Sequence, residues 1–198
     1  MTITTLDGLV AASRTKLPFY KISVTSLANS YQSLWKTTSL PLAGITPPTG
    51  SGEAPTKTTL GSFNFSEVGG SALVYGGRAV LTMATLGTLL LYDRLVHTSG
   101  LSGNITSEQT VNSTALTRHT DGAGVELFLE WYAATGSTTS TITVVYTNSS
   151  GTTGRVATAT IQASPSIGNM QKISLQDSDL GIRSVQSVTL SAGTGTAG

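Results

Sequence analysis

Residues 141–161 read Thr-Ile-Thr-Val-Val-Tyr-Thr, then Asn-Ser-Ser-Gly-Thr-Thr-Gly, then Arg-Val-Ala-Thr-Ala-Thr-Ile. The outer two blocks, 141–147 and 155–161, are rich in β-branched residues, which suit a pleated and half-buried surface. The middle block, Asn148 to Gly154, is turn chemistry, and its two glycines supply the left-handed conformations that a hairpin loop of this length needs. The whole reads as two antiparallel strands joined by a loop. A helix is disfavoured because no apolar residues recur at a period of 3.6.

Working outward, Gly124-Val-Glu-Leu-Phe-Leu-Glu-Trp-Tyr-Ala133 has a clear period of two. Val125, Leu127, Leu129 and Trp131 share one face, whereas Glu126, Phe128, Glu130 and Tyr132 share the other. Trp131 therefore belongs to the core, and the two glutamates to a solvated or partner-facing side. Ser184 to Leu190, Arg78 to Thr85 and Thr88 to His97 are further strand candidates. At least six strands with turn signals at short intervals predict an all-β body, an antiparallel β-sandwich or jelly roll. The closing stretch Ser191-Ala-Gly-Thr-Gly-Thr-Ala-Gly198 is expected to be a flexible tail.

Composition agrees. Thr and Ser make up about three residues in ten, Gly adds 22, and charged residues are only 11% of 198. That is far below the usual quarter, so hydroxyls rather than charges must hydrate the surface. The net charge is +1. The basic residues form no run, which argues against nucleic-acid binding. No apolar stretch is long enough for a membrane helix, and no signal-peptide pattern opens the chain. Cysteine is absent, which excludes disulfides and thiolate chemistry.

The chain divides near residue 62, into an arm over 1–62 and a β-sandwich domain over 63–198. The arm has two short helix candidates. One covers Leu6 to Ala12. The other covers Ser26 to Lys36, with Leu27, Tyr31, Leu34 and Trp35 on one face. Pro41 to Pro55 holds four prolines and three glycines, which bar a helix or a central strand. It reads as an extended segment that orders against a neighbour, with Leu40, Leu42 and Ile45 to bury.

The stretch Leu89-Leu-Leu-Tyr-Asp-Arg-Leu-Val-His-Thr-Ser-Gly100 sets an Asp, an Arg, a His and a Ser into an apolar run. Asp93 and His97 share a strand face but lie about 13 Å apart at the rise of a strand, too far for a relay. Asp93 and Arg94 point to opposite faces and need different partners. The stretch is best explained as a buried strand, Leu89 to Val96, running into a loop. Glu126 and Glu130 are likewise about 13 Å apart, too far for a retaining glycosidase pair. His97, His119 and Asp121 lack metal-ligand spacing. No catalytic, cofactor-binding or metal-binding residue is assigned, and the expectation is a protein that is not an enzyme.

At Ser33-Leu-Trp-Lys36, Gly44-Ile-Thr-Pro-Pro-Thr-Gly50, Leu91 to Gly103 and Arg183 to Ser191 the chain resembles a family of tailed-bacteriophage virion structural proteins. The resemblance implies a structural role, here expected to be a head decoration (cement) protein on the outer capsid surface, made in the host cytoplasm. Its partners would be the major capsid protein and neighbouring copies of itself in a homo-oligomer such as a trimer, with no nucleic acid and no membrane. The contact residues expected are Leu6, Leu9, Leu27, Tyr31, Trp35, Leu42, Ile45 and Pro47. Alternatives are a tail, neck or baseplate component, or a carbohydrate- or receptor-binding module on the virion.

Overall fold

The computed structural model describes residues 18–25, 30–47, 49–50, 52–64, 87–111 and 116–196. Nine strands are described: β1 (Tyr20–Lys21), β2 (Tyr31–Gln32), β3 (Ser39–Leu40), β4 (Gln109–Thr110), β5 (Leu127–Glu130), β6 (Ser140–Asn148), β7 (Arg155–Ile161), β8 (Asn169–Ile173) and β9 (Ile182–Leu190). Among the described residues there is no helix, and so none long and apolar enough to cross a membrane. The strands form sheets in the orders β1-β3, β2-β8-β5 and β4-β9-β6-β7, with every ladder antiparallel.

The four-stranded sheet is built on the β6–β7 hairpin. Strand β6 lies between β7 and β9 and alternates strictly, with Ile142, Val144 and Tyr146 buried on one side. Its loop closes as the glycines require: Gly151 and Gly154 adopt φ of 85° and 69°. Asn148 Oδ1 accepts from the Thr152 N–H at 2.9 Å. The residues facing inward from β6, β7 and β9 meet Trp131 and Ile173 in one core cluster, onto which Val125, Leu127 and Leu129 pack. The apolar face of the 124–133 segment is therefore real, although the ladder itself covers only Leu127–Glu130. Gly122 and Gly124, at φ of 67° and 73°, turn the chain just before it.

Three expectations need correction. The described half of the second helix candidate, residues 30–36, is strand β2 followed by a turn; Tyr31 and Gln32 pair with Met170 and Asn169 of β8. Ser33 and Trp35 are buried there while Tyr31 is exposed, the alternation of an extended segment rather than a helical stripe. Residues 88–97 are not a buried strand: Leu89 to Tyr92 are exposed, Leu91 by 83%, and only His97 makes a bridge, to Glu53. Four apolar residues in succession have no period-two face, so nothing in the run dictates which side is buried. The tail is pinned as far as Thr196. The Thr194 N–H donates to Gly103 O and its carbonyl accepts from the Thr138 N–H. A Cβ at Gly136 would overlap the Thr194 carbonyl, so the small residues there allow close backbone approach. The Leu6 to Ala12 helix candidate and the Arg78 to Thr85 strand candidate lie outside the described residues.

Candidate functional site

Among the described residues, a dense polar cluster lies where residues 30–64 meet residues 92–97 and the outer face of β5. Alternation along β5 sends Leu127 and Leu129 to the core and Phe128 and Glu130 outward. Glu130 is nonetheless covered. Arg94 Nη1 sits 2.6 Å from its Oε2, and the two side chains are 11% and 8% exposed. The solvated face expected for the glutamates holds only for Glu126, which pairs with Lys172 at the surface.

Around this pair the arm supplies a lid. The Arg94 guanidinium lies 4.7 Å from the centre of the Trp35 ring and 5.6 Å from that of Tyr92, a stacking geometry that suits its planar, weakly hydrated charge. It also donates to the hydroxyls of Tyr132 and Tyr92, at 3.2 and 2.9 Å. His97 packs edge-on against Trp35 at 5.5 Å. Its Nδ1 is 3.2 Å from the Tyr132 hydroxyl, and its Nε2 is 3.8 Å from Glu53. Asp93, pointing the other way, pairs with Arg118 at 2.6 Å. Arg118 in turn donates to Pro55 O at 2.7 Å.

Burial and neighbouring charge set the protonation of this cluster. Burial, the charge of Arg94 and then that of Lys36 lower the His97 pKa to about 4, so the ring is neutral and a weak base. Burial and the Glu130 charge raise the Tyr132 hydroxyl, keeping it protonated. For Arg94 burial opposes the charge, but attraction and hydrogen bonding to Glu130 prevail and its pKa rises. A nucleophile needs its proton-accepting partner within reach; Ser99 Oγ instead donates to Pro47 O at 2.5 Å. Arg94 Nε, Glu130 Oε1 and His97 Nε2 are buried without a hydrogen-bond partner among the described residues. Among those residues no group of three His, Cys, Asp or Glu side chains is placed to hold a metal.

A second network lies under the 176–180 loop. Asp179 accepts from Tyr146 Oη at 2.5 Å, Asn148 Nδ2 at 2.7 Å and Arg155 Nε at 2.8 Å. Its hydrogen bonds to Arg155 and Tyr146 lower its pKa to about 2. Every group in it is occupied in anchoring the loop to β6 and β7.

Of the eight expected contact residues, Leu6, Leu9 and Leu27 lie outside the described residues. Tyr31 is exposed and meets Phe128 edge-on at 5.8 Å. Leu42 is 58% exposed. Trp35 is buried over Arg94 and donates through Nε1 to Ile45 O at 2.9 Å. Ile45 is half-buried and Pro47 buried, so both pack within the chain. The structure adds exposed Tyr20, Ile22 and Leu40 on and beside the β1–β3 ladder. A signal for them was present, since Tyr20, Ile22 and Val24 recur at period two. No protein-family model, no curated protein and no solved structure matches the chain.

Proposed function

We propose that the chain is a structural protein of a tailed-bacteriophage virion, a decoration protein bound to the lattice of the major capsid protein. The observation that carries this reading is the apolar surface of β1, β3 and the residues beside them. Tyr20, Ile22, Leu40 and Leu42 are each about half exposed or more, on a segment fixed to the β-body. Isolated exposed apolar residues are ordinary, but a group of them on one small ladder marks an interaction surface. Within this reading the three- and four-stranded sheets are the layers of a β-sandwich, a rigid body that presents the ladder. The polar side chains that look reactive are instead engaged with one another, which supports a structural rather than an enzymatic role. Scarce surface charge suits many weak contacts summed over a lattice.

Copy number in the particle tests the proposal. Hundreds of copies on the head are expected; a few dozen on the tail would overturn it. Tyr20→Ser with Leu42→Ser is expected to weaken attachment to capsids by tenfold or more, about 1.4 kcal/mol or greater, with the fold unchanged by circular dichroism. Attachment equal to wild type would remove β1 and its neighbours from the interface.

A further inference from the structure

Among the described residues, strand β7 is the outer strand of the four-stranded sheet, paired with β6 on one side. From Val156 to Ile161 it reads Val-Ala-Thr-Ala-Thr-Ile, with no charge, proline or glycine. A strand of that composition at a sheet edge is a template for pairing with another chain. Part of its outer backbone is engaged by side chains. Gln171 of β8 reaches across, donating through Nε2 to Thr160 O at 2.7 Å and accepting through Oε1 from the Gln162 N–H at 3.2 Å. One amide thus offers the edge the donor and acceptor that a neighbouring strand's peptide would. Gln176, beyond the end of β8, accepts from the Val156 N–H at 3.2 Å. By the alternation of an antiparallel ladder, Thr158 faces the same way. It lies between the two glutamines and has no hydrogen-bond partner on that side among the described residues.

We infer that the outer edge of β7 is a strand-pairing surface for β7 of a second copy of this chain, held shut by Gln171 and Gln176. The geometry selects the partner. Antiparallel pairing about a two-fold axis at Thr158 sets Val156 opposite Thr160, so the outward-facing backbone groups of one copy meet those of the other. No charge repels across such a ladder, because Arg155 falls opposite Ile161 and its guanidinium is engaged with Asp179. The inference is independent of the virion reading, since strand pairing requires no capsid.

The test is sedimentation of full-length protein carrying Gln171→Ala and Gln176→Ala, against wild type over a concentration series. The double variant is expected to shift to heavier species than wild type at equal concentration, and Thr158→Lys added to it is expected to reverse the shift. A folded double variant that sediments as wild type overturns the inference, as does association that Thr158→Lys leaves intact. Hydrogen exchange on the wild type gives a reading that does not depend on the variant folding. Slow exchange at the Val156 and Gln162 amides beside fast exchange at Thr158 supports the closed edge. Equally fast exchange at all three overturns it.

Discussion

Arg94 and Glu130 are the residues on which the seam depends. Each is nearly enclosed, and each has one polar atom that the other does not reach. Removing one partner leaves a buried charge uncompensated, so Glu130→Ala is expected to lower stability by about 3–5 kcal/mol. Arg94→Met with Glu130→Leu removes both charges and is expected to cost far less, because the ion pair's own desolvation penalty disappears with it. Urea midpoints of the two single variants and the double measure the coupling, and additive losses would contradict it. His97 gives a second prediction. Its folded pKa of about 4 lies below the ordinary 6.5, so the unfolded chain takes up a proton that the fold refuses. Stability from this group is complete above pH 6.5 and is lost as pH falls from 6.5 towards 4, by up to about 3 kcal/mol. Arg94 and Lys36 oppose the imidazolium, while Glu53, 3.8 Å from Nε2, favours it without reversing the balance. Unfolding curves from pH 7 to 4.5 should be steeper in wild type than in His97→Gln, whereas parallel curves would mean that the ring already titrates in the fold as it does in water.

At the scale of elements, legibility followed alternation. Strands β6, β7 and β9 were readable because each is rich in apolar or β-branched residues with no helical period, and turn residues bound them at short intervals. The face of β5 was readable from its period of two, though not its length, since the ladder covers only Leu127–Glu130. Residues 30–36 were not legible because Leu27, Tyr31, Leu34 and Trp35 fit a helical stripe in sequence, whereas the fold buries Ser33 and Trp35 and exposes Tyr31, the period of an extended chain. The burial of Glu130 was illegible, since what covers it comes from residues 36 and 95 positions away in sequence, Arg94 and Trp35. Nothing local encodes such a meeting. One glycine makes the lid testable. A Cβ on Gly44 would overlap the Trp35 indole, so Gly44→Ala must push that ring off Arg94. The expected loss is about 1–3 kcal/mol, the usual range for an overpacked site, together with a red shift of tryptophan emission as Trp35 meets water. Unchanged emission would mean that the backbone yields instead of the ring.

Over the whole molecule, scarce charge is used internally. Among the described residues, Arg94, Arg118, Arg155 and Lys172 pair with carboxylates of the same chain. Two of those pairs lie in the networks that tie peripheral segments to the sheets: Arg94 holds residues 30–64 and Arg155 the 176–180 loop. The first tie bears on whether 63–198 stands alone. Removing residues 1–62 strips Trp35 from Arg94 and Glu53 from His97, takes the Pro55 carbonyl from Arg118, and removes β2 from the edge of β8. Loss of the buried Trp35 side chain alone is worth about 3–5 kcal/mol by analogy with core Trp→Ala substitutions. Since a domain's net stability is only about 5–15 kcal/mol, the shortened chain is expected to be markedly weaker and to expose Arg94, Glu130 and the Leu89–Tyr92 run. Urea unfolding of residues 63–198 beside the full chain, followed by near-ultraviolet circular dichroism from Trp131, checks this directly. A midpoint equal to that of the full chain would mean that residues 30–62 rest on the body without stabilising it. The apolar ladder β1–β3 would then belong to an arm free to leave the sheet, and attachment to a partner would have to supply the order that the body does not.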